Sequence, residues 1–143
     1  MKTCAAFLFV LMLSWYVLAQ AAIEPIDVSL VRLISNPKDY DGKVVRVIGF
    51  VNLEFEGNAI YLHEDDYRHC ICKNALWIEA TDEMNAKKAE FNQRYMLIQG
   101  TFNAKETGHM GLWSGSIQKI SKAQVWLEKG ENRMNEKDAV KVK

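Results

Sequence analysis

Four side chains with nitrogen or sulfur donors, His63, His69, Cys70 and Cys72, fall within ten positions of one another. Imidazole and thiolate are the donors that zinc and copper take most readily, so the cluster invites a metal reading. Its spacing argues against one: C-x-C is not the gap of a zinc knuckle, and no second cysteine pair follows. No metal and no other cofactor is therefore expected. The thiols are open to three states: two buried thiols, a strained Cys70–Cys72 disulfide, or pairing between chains.

A second kind of chemistry comes from alternation. Ala59 to His63 reads as a strand with Ile60 and Leu62 on one side and Ala59, Tyr61 and His63 on the other. Ala75 to Ala80 repeats the pattern, with Leu76 and Ile78 opposing Ala75, Trp77 and Glu79. If the aliphatic residues face the core, Tyr61, His63, Trp77 and Glu79 form an outward patch. Aromatic rings there stack on bases or sugars, while the carboxylate and imidazole fix orientation by hydrogen bonding. The competing reading is that the first helix or the segment Glu64 to Asn74 covers this face, which makes Trp77 ordinary packing.

Asn103 to Ser116 adds His109, Met110 and Trp113 between Gly108, Gly111 and Gly115. Glycines let a backbone approach a ligand closely, or they simply supply the positive φ angles of a hairpin. His109 and Trp113 are candidate binding residues on the first reading. Catalytic signals are poor. The chain has no G-x-S-x-G, H-E-x-x-H, phosphate-loop or dinucleotide fingerprint, and Asp65 and Asp66 read as solvated charge. No catalytic residue is assigned and no enzyme is expected.

These residues need elements to position them. The central one is the run Asn36-Pro37-Lys38-Asp39-Tyr40-Asp41-Gly42-Lys43, a proline-led turn closing on Asp-Gly, followed by the β-branched stretch Val44 to Val51. Before it, Leu30, Val31, Leu33 and Ile34 have helical spacing, with Asp27 or Ser29 as N-cap and Pro37 as the stop. Lys43 to Phe55 reads as a long strand with Val45, Val47, Val51, Leu53 and Phe55 on one face. Gly49 inside it suggests a bulge or sharp bend. Glu56-Gly57-Asn58 is a turn, and Glu64 to Asn74 a polar irregular segment. Thr81 or Asp82 caps a helix to Phe91, buried through Met84 and Phe91. Arg94 to Phe102 and Gly115 to Leu127 complete five strands, the last bulged near Ser121.

The expected class is all-β with minor helices. It is a five-stranded OB-fold Greek-key barrel with a helix between the third and fourth strands and a short N-terminal helix. The pattern Asn36-Pro37-x-x-Tyr40-x-Gly42-Lys43-x-Val45-x-Val47-x-Gly49 resembles the opening of the bacterial tRNA-anticodon-like OB domains. Gly108-His109-Met110-Gly111 and Ser114-Gly115-x-Ile117 are similar to a pattern in small exported proteins of that group. The resemblance spans most of residues 28–126. It implies an OB-fold in a bacterial envelope setting and assigns no catalytic or ligand residue.

Lys2, the apolar stretch Ala5 to Ala19 and the Ala19-Gln20-Ala21 site read as a signal peptide over residues 1–21. Cleavage leaves no stable membrane anchor and places the protein in the periplasm or outside the cell. Residues 22–127 are then one OB-fold domain, and 128–143 a charged C-terminal tail. Without Lys2 the chain has 17 basic residues against 18 acidic, a net charge of −1. Phosphate-binding proteins are normally basic, so nucleic acid is an unlikely partner. The expectation is a non-catalytic binding module for an envelope protein or a glycan-like ligand. A nucleic-acid-binding domain and an inhibitor or immunity-type protein are the alternatives.

Overall fold

The structure, a computed structural model, describes residues 24–126. The expected leader and its cleavage site, Leu127 and the charged tail lie outside the described residues.

A closed five-stranded barrel carries everything else. Strand β1 is short, Ile26–Asp27, and lies outside the closed ring. Helix α1, Leu30–Ser35, begins where Ser29 Oγ accepts the Arg32 N–H at 3.3 Å, and it buries Leu30 and Leu33 while Val31 faces solvent. Pro37 then opens α2, Pro37–Tyr40, a position where its missing N–H costs nothing. Gly42, at φ +76°, turns the chain into β2, Val44–Asn52. The strand expected to reach Phe55 stops at Asn52, so Phe55 sits 90% exposed in the following turn and not on the buried face.

Strand β2 pairs antiparallel with β5, Arg94–Asn103, from Val44↔Thr101 to Val51↔Arg94 without a register break. Its other edge holds β1 in parallel at Val45 and Arg46, then β3, Ala59–Tyr61, from Phe50 onward. Gly49 marks this change of neighbour, and the reason for glycine is space. A Cβ there would stand 2.6 Å from the Tyr61 carbonyl oxygen and 2.8 Å from Leu30 Cδ1. Of the two readings of Gly49, bulge or sharp bend, the unbroken register with β5 excludes the bulge, and the close approach of β3 accounts for the glycine. A bulge lies in β6, Ser116–Val125, where the pairs Thr101↔Gln118 and Gln99↔Lys122 leave two extra residues opposite Gly100. Lys119, at φ +49°, takes up the strain.

Closure runs β2, β3, β4, β6, β5 and back to β2, with β4, Ala75–Ile78, parallel to β6. Val45, Val47, Val51, Ile60, Leu76, Ile78, Met96, Ile98, Phe102 and Ile117 fill the interior, all at 1% exposure or less. Leu30, Leu33, Met84 and Phe91 join this cluster from the helices. Each such side chain contributes about 1.5–3 kcal/mol by burial.

Two segments differ from their sequence reading. Glu64 to Asn74 is ordered: α3, Glu64–Arg68, is followed by a 3₁₀ turn, Cys72–Asn74. Asp66 is buried there, accepting the His63 N–H at 3.1 Å and the Asn74 amide at 2.8 Å, so it is structural and not solvated charge. The single helix expected up to Phe91 is two, α4 at Asp82–Ala86 and α5 at Lys88–Phe91. Thr81 caps the first, its Oγ1 accepting the Met84 N–H at 3.2 Å. Asn92 Oδ1 accepts the Leu53 N–H at 2.7 Å and ties the second to the end of β2, so each short helix is fixed from its own end.

Candidate functional site

The outward faces of β2, β3 and β4 carry a second apolar cluster of Phe50, Ala59, Tyr61, Ala75 and Trp113, with Tyr67, Cys72 and Trp77 packed on it. Tyr67 from α3 tilts onto Phe50 at 5.7 Å and meets Tyr61 edge-on at 5.6 Å. Trp113 comes from the loop between β5 and β6 and sits edge-on to Trp77 at 4.9 Å. The expected open patch is thus largely roofed, by the Glu64–Asn74 segment from one side and by the β5–β6 loop from the other. Tyr61, at 4% exposure, lies beneath that roof, and Trp113, at 3%, is the buried part of the roof itself, so neither ring is open to solvent.

Burial pushes the Tyr61 phenol up to about 12, and the neighbouring Trp113 indole offsets part of that effect. The neutral phenol is favoured in the fold, so its contribution to stability is intact below pH about 10, the ordinary tyrosine value, and is lost as the pH rises toward 12. Urea midpoints measured from pH 9 to 12 should fall across that window in the native chain and fall less in Tyr61→Phe. Parallel curves would mean that Tyr61 ionises as freely as in the unfolded chain.

Trp77 is only half-buried, and around its free edge the structure opens a cleft of about 400 Å³ lined by Glu56, Asn58, Trp77, Glu106, Gly108 and His109. Its two walls are the β2–β3 turn, with Glu56 and Asn58, and the β5–β6 loop, with Glu106, Gly108 and His109. Gly108 has φ +68°, and a Cβ there would stand 2.7 Å from the Trp77 ring, so only glycine lets the loop lie on the indole. Asn103 Oδ1 accepts the N–H groups of Lys105 and Glu106, and Glu106 Oε1 accepts the Gly108 N–H at 3.1 Å. The loop is therefore preshaped by its own hydrogen bonds. Across the cleft His109 Nε2 lies 3.6 Å from Glu56 Oε2, an ion pair when the imidazole is protonated.

Two buried polar atoms, Asn52 Nδ2 and Ser116 Oγ, have no hydrogen-bond partner among the described residues. The register places Asn52, Ala59, Trp77 and Ser116 in one cross-strand row. Unpaired donors so close to an aromatic floor are costly unless something polar reaches them.

No protein-family model matches the chain, and no curated protein is significantly similar to it.

Of the six residues singled out by sequence, the cleft brings together Trp77 and His109. Exposed His63 stands at the start of α3, outside the cleft lining. Glu79 accepts the Lys119 N–H at 3.3 Å and lines a separate pocket with Asp82. Glu56, Asn58 and Glu106 are not among the six, although Glu56-Gly57-Asn58 is the turn leading into the strand that carries Tyr61. Among the described residues no three His, Cys, Asp or Glu side chains are grouped to hold a metal. A larger groove of about 530 Å³ over Arg46, Ile48, Leu97 and Trp126 contains none of the six and pairs its one cation with Asp27 at 3.2 Å.

Proposed function

We propose that the protein is an exported, non-catalytic OB-fold binding module that takes a glycan-like ligand in the cleft over Trp77. The strand order supports the OB assignment: a five-stranded closed ring, with its third and fifth strands parallel and helices between the third and fourth. In that fold ligands enter between the loop joining the first two strands and the loop joining the last two, which here are the walls of the cleft.

The observation that carries the reading is the half-buried Trp77 indole flooring a cleft rimmed by Glu56, Glu106 and His109. A sugar ring presents a C–H face that packs on an aromatic ring and hydroxyls that donate to carboxylates. The same carboxylates repel phosphate, which disfavours nucleic acid. Charge and geometry favour a neutral polyol.

Binding of a panel of soluble envelope oligosaccharides, followed by calorimetry, tests this. Trp77→Ala should weaken the best ligand at least tenfold, about 1.4 kcal/mol. Glu56→Gln, at an exposed turn, should also weaken it without touching the fold. Unchanged affinity in both variants would overturn the reading. Tight binding of single-stranded DNA, falling steeply with salt, would replace it with the nucleic-acid alternative.

A protein partner is the second reading, supported by one observation. Phe55 and Met110, 90% and 81% exposed, project from the two loops that wall the cleft. Exposed apolar tips beside a pocket are the anchors that protein interfaces use.

A further inference from the structure

The geometry points to Cys70 and Cys72 as a thiol–disulfide exchange site whose oxidation state repositions the loop walling the cleft. The exchange stands on its own; the effect on ligand binding rests on the function proposed above.

The segment after α3 is already folded for ring closure. Cys70 takes φ +53°, a conformation that non-glycine residues rarely adopt, and its N–H donates to Tyr67 O at 3.1 Å. Ile71 sits at φ −83° and ψ 66°, and the Cys72 N–H donates to Cys70 O at 2.9 Å. Those values define an inverse γ-turn centred on Ile71. Such a turn holds the flanking α-carbons compatibly with the roughly 4.4–6.8 Å that a disulfide spans.

The two sulfurs have different surroundings. Cys70 is exposed, whereas Cys72 is half-buried against the Tyr61 and Trp113 cluster. An incoming disulfide therefore meets Cys70 first. The Cys70 thiolate attacks one sulfur of a low-molecular-weight disulfide such as oxidised glutathione, forming a mixed disulfide and releasing one thiolate. The Cys72 thiolate then attacks the Cys70 sulfur and releases the second. Two electrons pass to the small disulfide, which leaves as two thiols carrying the protons that the cysteines gave up.

Closing the bond turns Cys72 toward Cys70 and off the cluster. The next residue is tied to the cleft wall. Lys73 Nζ donates to Gly111 O at 3.1 Å and Trp113 O at 3.4 Å, and Ser114 Oγ donates to Lys73 O at 2.8 Å. A shift at Cys72 is thus passed to the loop that carries Gly108 and His109.

The test needs no ligand. The purified chain is treated with oxidised glutathione, quenched in acid, alkylated and digested with trypsin. The peptide His69–Lys73 contains both thiols of the site and no other cysteine. It should appear two hydrogens lighter and unalkylated, and Cys72→Ser should instead accumulate a glutathione adduct at Cys70. Amide exchange over residues 104–115 should be faster in the oxidised chain and return on reduction. A wild-type peptide that stays fully alkylated, or carries only glutathione or interchain links, overturns the exchange site. Bond formation with unchanged exchange in the loop overturns the coupling.

Discussion

Gly49→Val should lower the free energy of unfolding by about 3 kcal/mol or more, through overpacking at a site with no room to relax. The added Cβ would meet the Tyr61 carbonyl oxygen at 2.6 Å, Ile60 Cγ1 at 2.7 Å and Leu30 Cδ1 at 2.8 Å. A flexible side chain could move away. The carbonyl cannot, because the ladder pairing Phe50 with Tyr61 holds it. Since the first atom already collides, Gly49→Ala should account for most of the loss. Denaturant unfolding of both variants checks this. An unchanged midpoint and slope in either would show that β3 does not press on β2 there.

Truncating the buried aromatics should cost nearly as much. Tyr61→Ala and Trp113→Ala each remove a ring at 3–4% exposure, and core truncations of that kind lose about 3–5 kcal/mol. Trp77→Ala should cost clearly less, because its edge is open to the cleft. The contrast separates a supporting layer from a binding surface, although all three rings lie in one cluster. Thermal and urea unfolding of the three variants give the ranking. If Tyr61→Ala unfolds no more easily than Trp77→Ala, the roof over β3 is not closed.

The proposed redox site and the cleft meet at Lys73, which the chain places beside Cys72 and the fold places against the β5–β6 loop. Its side chain therefore joins a segment near residue 70 to one near residue 112. If the coupling holds, ligand affinity and thiol state change together, and the glutathione experiment separates the two before any ligand is known.

Much of the barrel was legible from local chemistry. Pro37 and Gly42 punctuate the chain because one cannot continue a helix and the other accepts positive φ. Val45, Val47, Val51, Ile60, Leu76 and Ile78 alternate toward one interior, which a period of two makes readable. The caps at Ser29 and Thr81 follow from their side-chain oxygens, and the irregularity expected near Ser121 is the bulge in β6. The closed ring itself follows from strands whose inner faces have nowhere else to go.

Tertiary structure decided which outward side chains meet solvent. Alternation sends Tyr61 and Trp77 to the same outer face, yet only Trp77 keeps an open edge. The difference is made by Tyr67, Cys72 and Trp113, which arrive from segments whose apolar residues show no period. The cleft has the same origin. Glu56 and His109 stand 3.6 Å apart across it although they lie on different loops, because barrel closure brings those loops to one rim. Local spacing carries no record of such a meeting, since backbone pairing between distant strands creates it.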